Sequence, residues 1–281
     1  MKLLHRVMVF SYSAWRGEHP LPLALKYPLF KVVSWRMKKK YPSFNPDEHT
    51  FEYIAIQTQT ECNYDCSFCP NNKIERPHGT MKKRLFKKII EDLADMNYTG
   101  TVFLHLMNEP FIDKRMVDFI DIARSRIRSK IIIFTNGSLL TEELIKRIPE
   151  DVKILLNDYT GGKIIERVKV MNAGLNFIFR VRSDNEYLSN RAGNVFSPTK
   201  SPYKLFCVRP FRNIYVGFDG RVPLCCQDWK FEEVMGNARK QSLQEIWSGN
   251  EYEKKRKELL KSERNGLCAK CDWRGFTEWV L

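Results

Sequence analysis

The chain has 281 residues, 43% of them hydrophobic and 28% charged, the make-up of a globular protein with a full-sized core. It has no run of 18 apolar residues, which argues against a membrane-spanning helix, and His5 and Arg6 break the apolar opening that a signal peptide needs. Lys and Arg exceed Asp and Glu by 47 − 33 = 14, so the surface suits anionic partners.

Residues 1–50 read as a basic leader of irregular periodicity, with nine Lys or Arg against three acids and prolines at 20, 22, 28, 42 and 46. Such a segment is a solvated surface, a patch lying on a membrane, or a cover over a substrate. From Phe51 the pattern becomes orderly. Tyr53 to Ile56 reads as a buried strand. Residues 80–96 have helical spacing, with Leu85, Ile89, Ile90, Leu93 and Met96 on one stripe and Thr80 as the expected cap. Strand and helix then alternate. Strands are expected at 101–106, 130–134, 152–156 and 176–181; helices at 113–126, after Thr141, and at 161–172. This alternation implies βαβ units and a parallel sheet, which places ligands at the C-terminal strand ends. Asn108-Glu109-Pro110, Thr135-Asn136-Gly137 and Asn157-Asp158 all fall at such ends. Beyond residue 190 the texture changes. Asn213 to Val222 reads as a hairpin turning at Asp219-Gly220, and 242–262 as one long helix opened by a Ser242-Leu243-Gln244-Glu245 capping box.

Eight cysteines fall into two sets, with none between Cys69 and Cys207. A disulfide scaffold would be short and loop-rich, so metal ligation in a reducing cytoplasm is the better reading. Cys62, Cys66 and Cys69 have CX3CX2C spacing. Three thiolates on one loop suit three irons of a [4Fe-4S] cubane and leave the fourth open for a chelating ligand. The competing zinc reading wants four ligands, and His78 is the nearest further donor.

The triplet resembles the signature of radical S-adenosylmethionine (SAM) enzymes, and the resemblance covers roughly residues 51–281. It implies a partial (β/α)6 TIM-like barrel at 51–195 and a SAM-binding [4Fe-4S] cluster on Cys62, Cys66 and Cys69. In such enzymes the cluster passes an electron to SAM, and the resulting 5′-deoxyadenosyl radical takes hydrogen from substrate. By the same resemblance Phe68 packs by the adenine and Glu109 accepts from the SAM amino group. Asn108 stands where relatives have glycine. Asn136 and Asn157 stand where relatives touch the ribose, and Arg180, or Arg182 on the same strand face, pairs with the SAM carboxylate.

Cys207, Gly220 and Cys225 are spaced C-X12-G-X4-C, and Cys268 and Cys271 form CX2C. This resembles the auxiliary-cluster appendage of SPASM and twitch enzymes, here the shorter twitch form (β-hairpin plus helix) at 196–281. The resemblance implies a second [4Fe-4S] cluster on Cys207, Cys225, Cys268 and Cys271. A closed cluster suits electron transfer, and the similarity to twitch dehydrogenases of aminocyclitols implies oxidation of a secondary alcohol on a polar or anionic small molecule. Arg191 and Gln227 are candidates to orient that substrate. A flavodoxin- or ferredoxin-type electron donor is implied, and no nucleic acid is expected. Three other readings stay open: radical epimerisation with Cys226 as hydrogen donor, peptide or protein side-chain modification, and a non-enzymatic zinc module.

Overall fold

The structure, a computed structural model, describes residues 44–171, 176–182, 189–195 and 206–273, together with Trp35 and Lys39. The basic leader therefore lies almost wholly outside the described residues, as does 196–205, where the appendage was expected to open.

Six parallel strands form one sheet: β1 (Tyr53–Ile56), β2 (Thr101–Phe103), β3 (Lys130–Thr135), β4 (Lys153–Asp158), β5 (Phe177–Val181) and β6 (Asn213–Val216). Their order is β5-β4-β3-β2-β1-β6, the arrangement of an open α/β barrel. Apolar runs such as Ile131-Ile132-Ile133 are buried, as befits strands covered on both faces. The crossovers are helices α1 (Lys83–Asp95), α2 (Met116–Arg124), α3 (Glu142–Arg147) and α4 (Lys163–Val170). α1 shows why: Leu85, Phe86, Ile89, Ile90 and Leu93 recur at helical spacing and all are buried. Each such side chain contributes about 1.5–3 kcal/mol on full burial.

Three expectations need correction. Thr80 does not cap α1: it bridges to Gln59, and Lys82 takes the cap position without a side-chain bond. The hairpin at 213–222 keeps its turn, where Gly217 N–H donates to the Arg221 carbonyl (2.8 Å), but its arms join different sheets. β6 pairs with β1, while β7 (Arg221–Pro223) pairs antiparallel with β8 (Val234–Asn237). The sixth strand of the barrel sheet thus comes from sequence assigned to the appendage. The long helix is also two, α6 (Leu243–Trp247) and α7 (Asn250–Leu260), after a four-residue α5 (Arg209–Arg212). Gly249 breaks it by taking an extended conformation, with Glu245 O only 2.9 Å from where a Cβ would sit. The capping box at Ser242 and Glu245 forms as expected, as does the Thr141 cap of α3.

Gly137 follows β3 at φ +75°, where a Cβ would meet Leu156 Cδ1 at 2.7 Å and Ile164 Cγ2 at 2.9 Å. Gly137→Ala is expected to cost about 1–3 kcal/mol, read as a drop of a few degrees in Tm by calorimetry.

Among the described residues, no helix is long and apolar enough to cross a membrane.

Candidate active site

The C-terminal ends of the strands open into a cavity of about 300 Å³. Its floor is the inner barrel face: Tyr53, Phe103, His105, Phe134, Asn213 and Tyr215. Its mouth carries Cys62, Cys66, Cys69, Phe68, Asn108, Glu109, Asn136, Asn157 and Tyr159. Its far wall is Arg182, Arg191, Arg209, Cys226 and Trp229.

The triplet rides on the loop after β1. Cys69 N–H donates to the Cys66 carbonyl (3.0 Å), which turns the loop back on itself. Burial pushes the Cys66 thiol up to about 11, and Cys69 and Cys62 push it the same way. Burial also raises Cys62, helped by Glu109 and Cys69. Raised thiols of this kind are ones whose ionisation a cationic metal core would favour. No three His, Cys, Asp or Glu side chains among the described residues close around a single ion. His78 is exposed, interacts with Thr60 and stays outside the cavity wall.

Arg76 anchors the loop from behind. It is buried and donates to the carbonyls of Thr60 and Met107 (2.9 Å to the latter) and to Asn71. Burial lowers its pKa to about 10, against the pull of Cys69 and Cys62. Its guanidinium also lies 5.3 Å from the Trp229 ring centroid, on the far wall.

Glu109 is buried in the loop that follows β2, where it caps the turn Pro110–Ile112. Its carboxylate accepts from Thr135 Oγ1 (2.7 Å), Asn136 N–H (2.8 Å) and Phe111 N–H (3.2 Å). Burial raises its pKa, and these donors oppose the rise. Asn136 Nδ2 donates to Asn63 (2.9 Å), tying the loop after β3 to the cysteine loop. Asn157 Oδ1 and Asn108 Nδ2 are buried without a protein partner, which leaves an acceptor and a donor at the mouth for a polar ligand. Phe68 packs on Tyr159, ring centroids 5.6 Å apart.

The structure separates the two arginine candidates. Arg180 pairs with Asn157 inside the sheet and is not part of the cavity wall; Arg182, two residues further toward the strand's C-terminal end, is. Both share a strand face, so alternation alone does not choose between them. Gln227 also stays out of the cavity: it is buried and accepts from Ser189 Oγ (3.2 Å). Arg191 lines the cavity at φ 51°, its Nε buried without a partner.

The later cysteines gather behind the far wall. Burial raises Cys225 well above the thiol range, with Cys226, Cys268 and Cys271 acting the same way. Burial pushes Cys268 to about 12, with Cys207 and Cys271 adding to it, and it raises Cys271 too. Gln227 N–H donates to Cys225 Sγ and Trp273 N–H to Cys271 Sγ, both at 3.4 Å, as metal-bound sulfurs require. Asp228 shapes the loop by accepting from Glu232 N–H (2.8 Å) and Glu233 N–H (3.0 Å); burial lifts it to about 6. Cys226 turns the other way and faces the main cavity. Arg209, 6% exposed, also lines the cavity, and the thiols of Cys226, Cys225 and Cys207 favour its charged form. All eight cysteines are free of disulfides.

Several wall residues were not singled out from sequence: His105, Tyr159, Arg209 and Trp229. Tyr159, Arg209 and Trp229 had a signal, each two residues from a position named from sequence.

Comparison with known proteins agrees with this layout. The Radical SAM superfamily matches residues 56–157, and SPASM, an iron-sulfur cluster-binding domain, matches 207–272. The S-adenosyl-L-methionine-dependent 2-deoxy-scyllo-inosamine dehydrogenase of Niallia circulans is 28% identical over 232 residues, 79% of this chain and 93% of the relative. A tungsten-containing aldehyde ferredoxin oxidoreductase cofactor-modifying protein of Pyrococcus furiosus is 28% identical over 99 residues, 35% of this chain and 28% of that protein. Among solved structures, BtrN in complex with AdoMet and 2-DOIA superposes with a TM-score of 0.72 at 27% identity, over 82% of this chain and 98% of BtrN. AdoMet-bound anSMEcpe shares the fold, with a TM-score of 0.55 at 12% identity over 74% of this chain and 80% of its own.

Proposed function

Because the chain belongs to the radical SAM superfamily and carries an SPASM-type iron-sulfur domain, we propose that it oxidises a secondary alcohol of a cyclitol or sugar-like substrate to a ketone. The observation that carries this reading is the shared wall. One cavity is lined by Cys62, Cys66 and Cys69 and also by Cys226, whose sequence neighbour Cys225 interacts electrostatically with Cys268 and Cys271. Oxidising an alcohol removes a hydrogen atom from carbon, a proton from oxygen and one further electron, so it needs a radical initiator and an electron acceptor within reach of one substrate.

Cys62, Cys66 and Cys69 would hold the SAM-binding [4Fe-4S] cluster; Cys207, Cys225, Cys268 and Cys271 would hold the auxiliary one. When bound, the first cluster with SAM supplies a hydrogen-abstracting 5′-deoxyadenosyl radical, and the second supplies an electron sink. Glu109 is preorganised by three donors to accept from the SAM amino group. Asn157 Oδ1 offers an acceptor to the ribose, Phe68 with Tyr159 an aromatic wall to the adenine, and Arg182, in place of Arg180, a cation to the SAM carboxylate. Arg191 orients the substrate. The net charge of +14 suits an acidic flavodoxin- or ferredoxin-type donor. Eight free thiols suit a reducing cytoplasm.

Glu109→Gln keeps the shape and removes the charge, so SAM should bind about 10- to 100-fold more weakly by equilibrium dialysis. The reaction itself is tested by anaerobic turnover with SAM, dithionite and 2-deoxy-scyllo-inosamine beside other polyols. Ketone and 5′-deoxyadenosine should appear in equal amounts; 5′-deoxyadenosine without ketone refutes the oxidation.

A second reading, epimerisation, draws on Cys226 facing the cavity. It requires solvent deuterium in the product and no turnover by Cys226→Ala. A Cys226→Ala variant that still makes ketone at the parent rate removes it.

A further inference from the structure

His105 lies two residues beyond the last ladder position of β2, in the cavity floor. The ladder to β3 continues through Leu104 N–H, which donates to the Ile132 carbonyl (3.2 Å). At Phe134 the side chain joins in: His105 Nδ1 accepts from the Phe134 N–H (3.2 Å). A ring nitrogen that accepts from an amide carries no proton, so the proton of the neutral imidazole sits on Nε2. The ring is clamped in this pose. It stacks on Phe134 (centroids 4.4 Å apart, 17° between planes) and meets Phe103 edge-on at 5.6 Å. Burial drives its pKa down to about 3, so it stays neutral at physiological pH. Nε2 has no protein partner and is not among the buried polar atoms, so its N–H faces the cavity.

The surroundings suit a polyol. Tyr53, Phe103 and Phe134 form a chain of rings beside His105, with centroid separations of 5.7–5.8 Å, apolar surfaces on which the C–H face of a sugar or cyclitol ring packs. Within that floor Nε2–H is a fixed donor. It has no lone pair to act as a base and no charge to attract an anion.

We propose that His105 is a substrate-binding residue whose Nε2–H donates to a hydroxyl or carbonyl oxygen of the substrate held over the aromatic floor. The donor selects an oxygen acceptor at this point and excludes an ammonium, so the amine of an aminocyclitol would lie elsewhere in the cavity. The proposal rests on the polyol-oxidation reading above.

The test compares His105→Phe, which keeps a ring but loses donor and acceptor, with His105→Gln, which restores both. Binding of 2-deoxy-scyllo-inosamine and other polyols to SAM-loaded holoenzyme is measured by calorimetry, and KM and kcat by 5′-deoxyadenosine release. Cluster absorbance and Tm verify that each variant is folded. Loss of one buried donor should weaken polyol binding in His105→Phe by about 10- to 100-fold. His105→Gln should recover to within about threefold of the parent, and SAM affinity should not change in either. Unchanged polyol affinity in His105→Phe, or a loss confined to SAM, overturns the proposal. Polyol binding that follows this pattern without ketone refutes the oxidation reading and leaves the His105 contact standing. A parent enzyme that binds no polyol overturns both.

Discussion

Cys66→Ala is expected to abolish SAM cleavage while leaving a folded, half-loaded protein. Cys66 is the central member of the triplet, and its pKa is raised by burial and by both its neighbours, Cys69 and Cys62. Removing it leaves two ligands, too few to hold an iron-sulfur core open to SAM. Iron content should fall from about eight to about four per chain, the remainder on the four later cysteines. 5′-Deoxyadenosine formation should fall by at least about a thousandfold, beyond the 10- to 100-fold typical of losing an outer partner of a metal ligand. The barrel should survive, because the triplet lies on a partly exposed loop outside the hydrophobic core. Iron analysis, absorbance and chromatography of the nucleoside product check it together. A variant that retains iron near eight and cleaves SAM would refute the ligand assignment.

Cys268→Ala should uncouple the reaction instead of stopping it. Cys268 has no cysteine next to it in sequence to replace it, whereas Cys225 has Cys226. Its removal should again take iron from about eight to about four, this time leaving the triplet loaded. SAM cleavage should persist within about threefold. Ketone should fall by at least about a hundredfold, because the substrate loses its route for the second electron. The signature is the ratio of ketone to 5′-deoxyadenosine, about one in the parent and near zero in the variant. If both products fall together, the later cysteines serve structure and not electron transfer.

The two variants together separate initiation from oxidation. Arg209 and Cys226 line the cavity, and Arg209 also interacts electrostatically with Cys225 and Cys207.

Much of this was legible in the sequence because it is local. Ligand spacing within a loop, helical stripes such as Leu85 to Leu93, and turn or cap residues such as Gly220 and Ser242 depend on neighbours a few positions away. That is why the spacing of the two cysteine sets carries a resemblance to iron-sulfur enzymes, and the strand–helix alternation a parallel sheet, in the sequence alone. What only the tertiary structure decided is non-local. β6 resembled one arm of a hairpin, yet its four inward and outward positions are all buried, and it lies against β1, about 160 residues earlier in the chain. Arg180 and Arg182 share a face, and only their depth along the barrel separates a sheet residue from a wall residue. Cys225 and Cys226 are adjacent in sequence, yet Cys226 lines the cavity and Cys225 does not. His105 looked like any residue near a strand end until Phe134, on the neighbouring strand, supplied the N–H that sets its tautomer. Spacing along the chain determined which groups share a loop; strand depth and cross-strand partners, which no local pattern encodes, determined which atoms face the substrate.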